Sequence, residues 1–225
     1  MGLALITGFV LSRSSQKGLQ LTRGERLGIG LGAFCGAMIG AKLPFALSDW
    51  DALVAGTAWF SNGKTILTGM VGGYFGVVIA KWSLDIHVRT GDSFVVPVAA
   101  AIAVGRWSCF LAGCCYGRPT NLPWGVVFPL VDDQLRHPTQ IYESIFHAAC
   151  AAVLLVLQRH GRFPGNLSKL YIIGYCGYRF FTEFVRPEVR FSSGLTGYQF
   201  ASIAIVALFA WLWWRDRNLD FETAS

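Results

Sequence analysis

Three ionisable residues sit in stretches of this sequence that are otherwise apolar. Arg106 falls in the run 95–110, and Arg179 and Glu183 fall in the run 170–184. On insertion scales an arginine at the centre of a membrane helix costs near 2.5–3.5 kcal/mol, so the three together would cost roughly 8–10 kcal/mol if each stood alone. Such groups are retained when they have partners or line a polar cavity. Tyr175, Arg179 and Glu183 are spaced four apart, which sets a phenol, a guanidinium and a carboxylate in a line on one helix face. One reading is an internal Arg–Glu pair that locks two helices together. The other is a pocket for an anionic group, most simply a phosphate, which arginine grips bidentately.

The segment 113–140 is the second anomaly. It runs Gly-Cys-Cys-Tyr-Gly-Arg-Pro-Thr-Asn-Leu-Pro-Trp-Gly and later Arg-His-Pro-Thr-Gln, too rich in glycine and proline to be helical throughout. A structured head or flap over a membrane-level site is the economical expectation, and a solvated connector the plain one. Cys109, Cys114 and Cys115 cluster here, with His137 downstream. Zinc sites use paired C-x2–4-C or H-x3–5-H arms, and this segment has no second arm. The expectation is therefore no metal and no cofactor, with the cysteines as small buried residues at a tight turn; a Cys114–Cys115 or Cys109–Cys114 disulfide is the alternative. His87 and His160 read as solvated, His147 as a partner of Glu143 four residues earlier, and His137 as a group able to titrate near neutrality. No Ser-His-Asp elbow, P-loop or Rossmann glycine pattern occurs.

The elements that must carry these residues follow from composition. Of 225 residues, 53% are apolar and 14% charged, and mean hydropathy is +0.46. Soluble domains carry about 25% charged residues, and disorder requires low hydrophobicity; both are excluded. The formal charge of +6 forms no basic stripe of the kind nucleic acid needs. About 20 apolar residues cross a bilayer, which places spans near 28–47, 65–82, 94–111, 141–157, 170–184 and 198–214. Residues 2–11 form a shortened leading span. The expectation is an all-α polytopic membrane protein, 1–225 as one domain, with six full helices, a short N-terminal one, and 112–140 as an outer-face head.

Basic residues set the orientation. Arg13, Lys17, Arg23, Arg26, Lys81, Arg89, Arg159, Arg162, Lys169, Arg215 and Arg217 fall on one side, which should be cytoplasmic. Lys64, Arg118, Arg136, Arg186 and Arg190 fall on the other with Asp49, Asp51, Asp132, Asp133 and Glu188. The N-terminus is then outside and the C-terminus inside, with Trp211, Trp213 and Trp214 as an interfacial anchor. Gly28, Gly32, Gly36 and Gly40, and Gly69, Gly72, Gly73 and Gly76, read as faces for close helix packing.

Four ordered blocks resemble the bacterial prolipoprotein diacylglyceryl transferases: Gly105-Arg106-x3-Phe110-x6-Gly117-Arg118-Pro119-Thr120-x2-Pro123-Trp124-Gly125; Arg136-His137-Pro138-Thr139-Gln140-Ile141-Tyr142-Glu143; Gly174-Tyr175-x3-Arg179-Phe180-x2-Glu183-Phe184-x-Arg186; and Gly194-Leu195-Thr196 with Gln199. The Cys-Cys-Tyr-Gly form resembles one branch of that family. The commonest signature has Asn, Asn and Glu at Cys109, Ala112 and Cys114, and His-Gly-Gly at Val71-Gly72-Gly73. A tyrosine late in the family's first helix would fall at or before Met1, in a lost or upstream element.

The resemblance implies transfer of the diacylglyceryl group of phosphatidylglycerol to the lipobox cysteine of a preprolipoprotein signal peptide, releasing glycerol phosphate, in the bacterial inner membrane. It implies that Arg106 and Arg179 hold the phosphate, that Glu183 orients Arg179, and that Tyr175 hydrogen-bonds nearby. Gly117 would allow a turn close to the headgroup, and His137 and Glu143 would shape the site. The partners implied are phosphatidylglycerol, the signal peptide and membrane lipid, with no nucleic acid, and the chain as a monomer. A silent homologue that binds anionic lipid, and a transporter lined by Arg106, Arg179 and Glu183, are the alternatives.

Overall fold

The computed structural model describes residues 2–17, 19–48, 50–55, 57, 65–88 and 90–222. Asp49, Lys64 and Arg89, used above for orientation, lie outside them. The chain divides into two compact units, one of residues 19–91 and one of residues 1–18 with 92–225.

In the first unit, α2 (Arg23–Ser48) and α4 (Ile66–Ser83) form a close pair, with the short α3 (Trp50–Val54) between them in sequence. Thr22 opens α2 with a reciprocal cap: its N–H donates to Glu25 Oε2 at 2.6 Å, and Glu25 N–H donates to Thr22 Oγ1 at 3.2 Å. Of the glycines singled out in the two segments, Gly32, Gly36 and Gly40 face Gly72 and Gly76, while Gly28 meets Leu84, and Gly69 and Gly73 meet alanines of α2. A Cβ on Gly32 would lie 2.6 Å from the Gly76 carbonyl oxygen, one on Gly36 would lie 2.9 Å from Gly76 Cα, and one on Gly40 would lie 2.9 Å from Gly72 Cα. With no side chains between them the backbones touch, as small residues permit in lipid.

The second unit holds α1 (Gly2–Ser15), α5 (Gly91–Leu111), a hairpin of β1 (Val126–Phe128) and β2 (Asp132–Arg136), α6 (Thr139–Arg159), α7 (Leu167–Thr182) and α8 (Gly197–Glu222). Small residues again set the approach of α1 to α5, where a Cβ on Gly8 would lie 3.2 Å from that of Ala101. The other helices are pinned by polar contacts. Ser144 on α6 donates to the Ala103 carbonyl of α5 at 2.8 Å. Asp92 at the start of α5 accepts the backbone N–H of Leu167 at 3.0 Å, tying it to the start of α7. Thr196 and Gln199 cap α8 reciprocally at 2.9 and 3.3 Å, while Gln199 Nε2 donates to the Phe180 carbonyl of α7 at 3.1 Å.

Among the described residues, five helices are long and apolar enough to cross a bilayer: Arg23–Leu47, Ile66–Ser83, Gly91–Leu111, Thr139–Arg159 and Gly197–Arg217. The remaining expected span, 170–184, forms a helix that is not among them. α7 has 16 residues and gives way at Glu183 to a 3₁₀ turn, Glu183–Val185; at 1.5 Å per residue it covers about 24 Å. Large apolar side chains such as Leu5, Phe9, Leu31, Ile39, Ile79, Ile145, Val153, Ile203 and Trp211 face outward. That much exposed hydrocarbon suits a protein whose solvent is lipid.

The segment after α5 is not helical. β1 and β2 pair antiparallel with Val126 opposite Arg136 and Val127 opposite Leu135, and a bulge precedes Phe128 opposite Asp132. Arg136 closes the turn onto Asp132, with Nε–H donating to Oδ1 at 3.0 Å; that contact holds the Asp132 carboxyl below its usual range.

Candidate active site

Arg106 lies on the fifth turn of α5, buried at 7% exposure. Its Nη2 donates to Glu143 Oε2 from the second turn of α6. The other Glu143 oxygen accepts the Tyr175 hydroxyl of α7 at 2.6 Å. Arg186, past the 3₁₀ turn, brings its Nη2 to 3.6 Å from Glu143 Oε2, and His147 Nε2 lies 3.9 Å from Oε1. One buried carboxylate thus gathers side chains from three helices and the loop that follows. His147 is held on its other nitrogen by the Tyr171 hydroxyl at 2.7 Å.

One turn beyond Tyr175, Arg179 meets Glu183 at 3.0 Å, and its guanidinium stacks over the Tyr198 ring at 4.5 Å. Arg106, Arg179 and Arg186 are all buried, and so are Glu143 and Glu183. Among the described residues, the buried part of the cluster therefore holds three guanidinium groups against two carboxylates, with the half-buried Glu188 near Glu183 at its edge. The Arg106 Nε–H is buried with no acceptor among the described residues. Burying an unmatched cation is expensive unless an anion completes the set.

The backbone above the cluster is tightly laced. Gly117 N–H donates to the His137 carbonyl at 2.8 Å, Arg118 N–H to the Val185 carbonyl at 2.8 Å, and Arg118 Nε–H to the Arg186 carbonyl at 2.9 Å. A Cβ on Gly117 would lie 2.6 Å from His137 Cβ and 2.8 Å from the Val185 oxygen. Glycine is the residue that lets these three segments meet.

The sequence-selected residues divide in two. Arg106, Glu143 and Tyr175 form one bonded set, and Arg179 with Glu183 continues it along α7. The His137 ring belongs to a separate network: its Nδ1 lies 3.3 Å from the Tyr142 hydroxyl, which also accepts Trp124 Nε1–H at 2.8 Å. Arg186 was counted among loop charges, but the 3₁₀ turn after Glu183 returns it to the cluster. The signal for it was a membrane-level carboxylate three residues before an Arg-Pro pair.

The cysteines are not buried as expected. Cys114 and Cys115 are exposed and Cys109 half-buried, and all six cysteines are free thiols. The tight turn itself is present. Cys114 N–H donates to the Cys109 carbonyl at 3.1 Å and Gly113 N–H to the Phe110 carbonyl at 3.1 Å, with Gly113 at φ +64°. This is the Schellman pattern, with glycine in the left-handed position. Gln140 Nε2 donates to the Cys114 carbonyl, and Thr139 Oγ1 donates to that of Cys115 at 2.5 Å. The Cys115 thiol is held below the usual thiol range by a hydrogen bond from Cys109 and by Arg106 and Arg186, against partial desolvation. Partial desolvation and the neighbouring Cys115 raise the Cys114 thiol.

The family model described as prolipoprotein diacylglyceryl transferase matches residues 1–215. The chain belongs to this family. A relative in Clostridium perfringens, phosphatidylglycerol--prolipoprotein diacylglyceryl transferase 2, is 30% identical over 221 residues, 92% of this chain and 84% of the relative. The Clostridium tetani transferase is 36% identical over 183 residues, covering 77% of this chain and 73% of its own. The Legionella pneumophila (strain Corby) transferase is 36% identical over 158 residues, covering 65% and 61%. With its long apolar helices, this member of the family is a multi-pass membrane protein and a transferase.

Proposed function

We propose that the chain transfers the diacylglyceryl group of phosphatidylglycerol to the lipobox cysteine of a preprolipoprotein, with Arg106, Arg179 and Arg186 receiving the phosphate. The observation that carries this reading is the surplus of one buried guanidinium in a cluster that also leaves the Arg106 Nε–H without an acceptor.

The thiol sulfur of the incoming peptide attacks the glyceryl carbon bonded to phosphate oxygen. A C–S bond forms, the C–O bond breaks, and its electron pair stays on the phosphate. The proton given up by the thiol balances the charge of the glycerol phosphate released. Negative charge grows on the phosphate oxygens as the bond breaks, and fixed guanidinium donors aimed there lower the barrier. Glu143 and Tyr175 hold Arg106 in place, and Glu183 and the Tyr198 ring hold Arg179. His137, packed against Gly117, borders the entry from the head side.

In this reading 1–225 acts as one membrane transferase domain, as a monomer. Residues 112–140 form its outer-face head, the N-terminus is outside and the C-terminus cytoplasmic, in the bacterial inner membrane. The test is direct. Purified protein is incubated with phosphatidylglycerol and a lipobox peptide, and the peptide cysteine is read by mass spectrometry. A diacylglyceryl gain that disappears in Arg106→Ala supports the reading. No gain from a folded, lipid-binding protein overturns it.

A further inference from the structure

We propose that Cys109, Cys114 and Cys115 form a three-thiolate site for a zinc-class soft metal ion, whose open fourth position takes the incoming lipobox thiol. The proposal rests on the transferase reading for its role, though not for its geometry.

The Schellman turn at the end of α5 brings the thiols together. Its defining bonds join the backbone of Cys114 to that of Cys109, and this places the side chain after the glycine against the one on the helix's last turn. Cys115, with φ +60°, turns back beside them. The three sulfurs lie within 4.8 Å of one another. A tetrahedral ion with Zn–S near 2.3 Å needs sulfurs about 3.8 Å apart, so side-chain rotation of about 1 Å closes the set. The backbone beneath is already clamped, since Gln140, Thr139 and Arg186 Nη2 (3.4 Å) all donate to the Cys114 and Cys115 carbonyls. Thiolates select soft ions, and three protein ligands with one open position is the arrangement of catalytic zinc. Spacing alone did not show the site, because the turn replaces the second arm that zinc motifs usually carry in sequence.

The site also adjoins the phosphate-binding group. Arg106 Nη1 lies 3.7 Å from Cys109 Sγ. Three thiolates and a divalent ion carry one net negative charge, set beside the Arg106 guanidinium. An ion here deprotonates a fourth thiol on binding it, the proton passing to water. That thiolate attacks the glyceryl carbon, the C–O electron pair leaves with phosphate, and the thioether product, a weaker ligand, departs while the ion stays.

The test uses the full chain in detergent, reduced and freed of reductant, titrated with Cd(II). Ultraviolet thiolate–cadmium absorption saturating at one ion per chain is expected, with Cys109, Cys114 and Cys115 protected from alkylation on mass-spectrometric mapping. Each of Cys109→Ser, Cys114→Ser and Cys115→Ser should weaken binding at least tenfold, and Cys35→Ser should leave it unchanged. The lipobox peptide should shift the band, and its Cys→Ser form should not. No saturable band, or protection that spares these three thiols, overturns the site; the mapping on unmutated protein decides even where a variant fails to fold. Undiminished transfer after chelation overturns the activating role and leaves the transferase reading intact. Cadmium binding in a protein that transfers nothing overturns that role together with the transferase reading and leaves the ion site standing.

Discussion

Glu143 on α6 accepts the Tyr175 hydroxyl of α7 at 2.6 Å on one oxygen and Arg106 of α5 on the other. Three helices are joined at one carboxylate buried to 2% exposure. A hydrogen bond to a charged group contributes about 1.5–3 kcal/mol, so Tyr175→Phe should lower stability by about that amount. Glu143→Gln should cost more, about 3–5 kcal/mol, since it strands buried guanidinium charge. Thermal unfolding in a fixed detergent checks the order. Equal melting points for the two variants would show that the carboxylate is not the hub.

Arg179 is held by an ion pair and by the Tyr198 ring at once. A lysine keeps the charge but loses both the planar fork and the stacking. Arg179→Lys should therefore resemble Arg179→Ala, with product formation down about a hundredfold or more. Full rescue by lysine, measured as diacylglyceryl peptide formed per minute, would reduce the role of Arg179 to bare charge.

Gly117 and Gly174 offer a matched pair of substitutions. A Cβ at Gly117 collides with His137 and the Val185 carbonyl, whereas one at Gly174 meets nothing within 4 Å. Gly117→Ala should lose about 1–3 kcal/mol and most of its activity. Gly174→Ala, within α7, should hold its stability or gain about 0.5–1 kcal/mol. Denaturant midpoints and initial rates for the two variants decide.

The α2–α4 contact makes a similar contrast. Gly72→Leu would wedge a side chain between backbones where a Cβ alone already comes within 2.9 Å of Gly40 Cα, while Gly30→Leu enters open space. The first should raise sensitivity to limited proteolysis in micelles and the second should not.

What could be read from the sequence was what carried a cost. Arg106, Arg179 and Glu183 stood out because hydrocarbon penalises them, and Tyr175 followed from helical spacing. The glycine rows marked a packing face, and the structure adds that Gly32, Gly36 and Gly40 meet Gly72 and Gly76. Glu143 came to notice through its four-residue spacing from His147 and through the family-like block Arg136–Glu143, since a carboxylate at a span's edge carries no such penalty. Arg186 escaped for a geometric reason. Counted as a loop cation beyond the span, it is carried back by a 3₁₀ turn that leaves no pattern in hydropathy. The same turn ends α7 at Thr182, leaving 16 residues where a full crossing had been expected. The three thiols were visible in the sequence as a cluster, but their closeness depends on the reversal at Gly113, which no spacing pattern records.

The imbalance of three guanidinium groups over two carboxylates has a thermodynamic consequence. Any anion that docks there and has no affinity for the unfolded chain raises folding stability as RT ln(1 + [L]/Kd). The melting temperature is then a property of the surrounding membrane as much as of the chain. Enriching vesicles in phosphatidylglycerol over a zwitterionic lipid of equal chain length raises it, and stripping anionic lipid during purification lowers it.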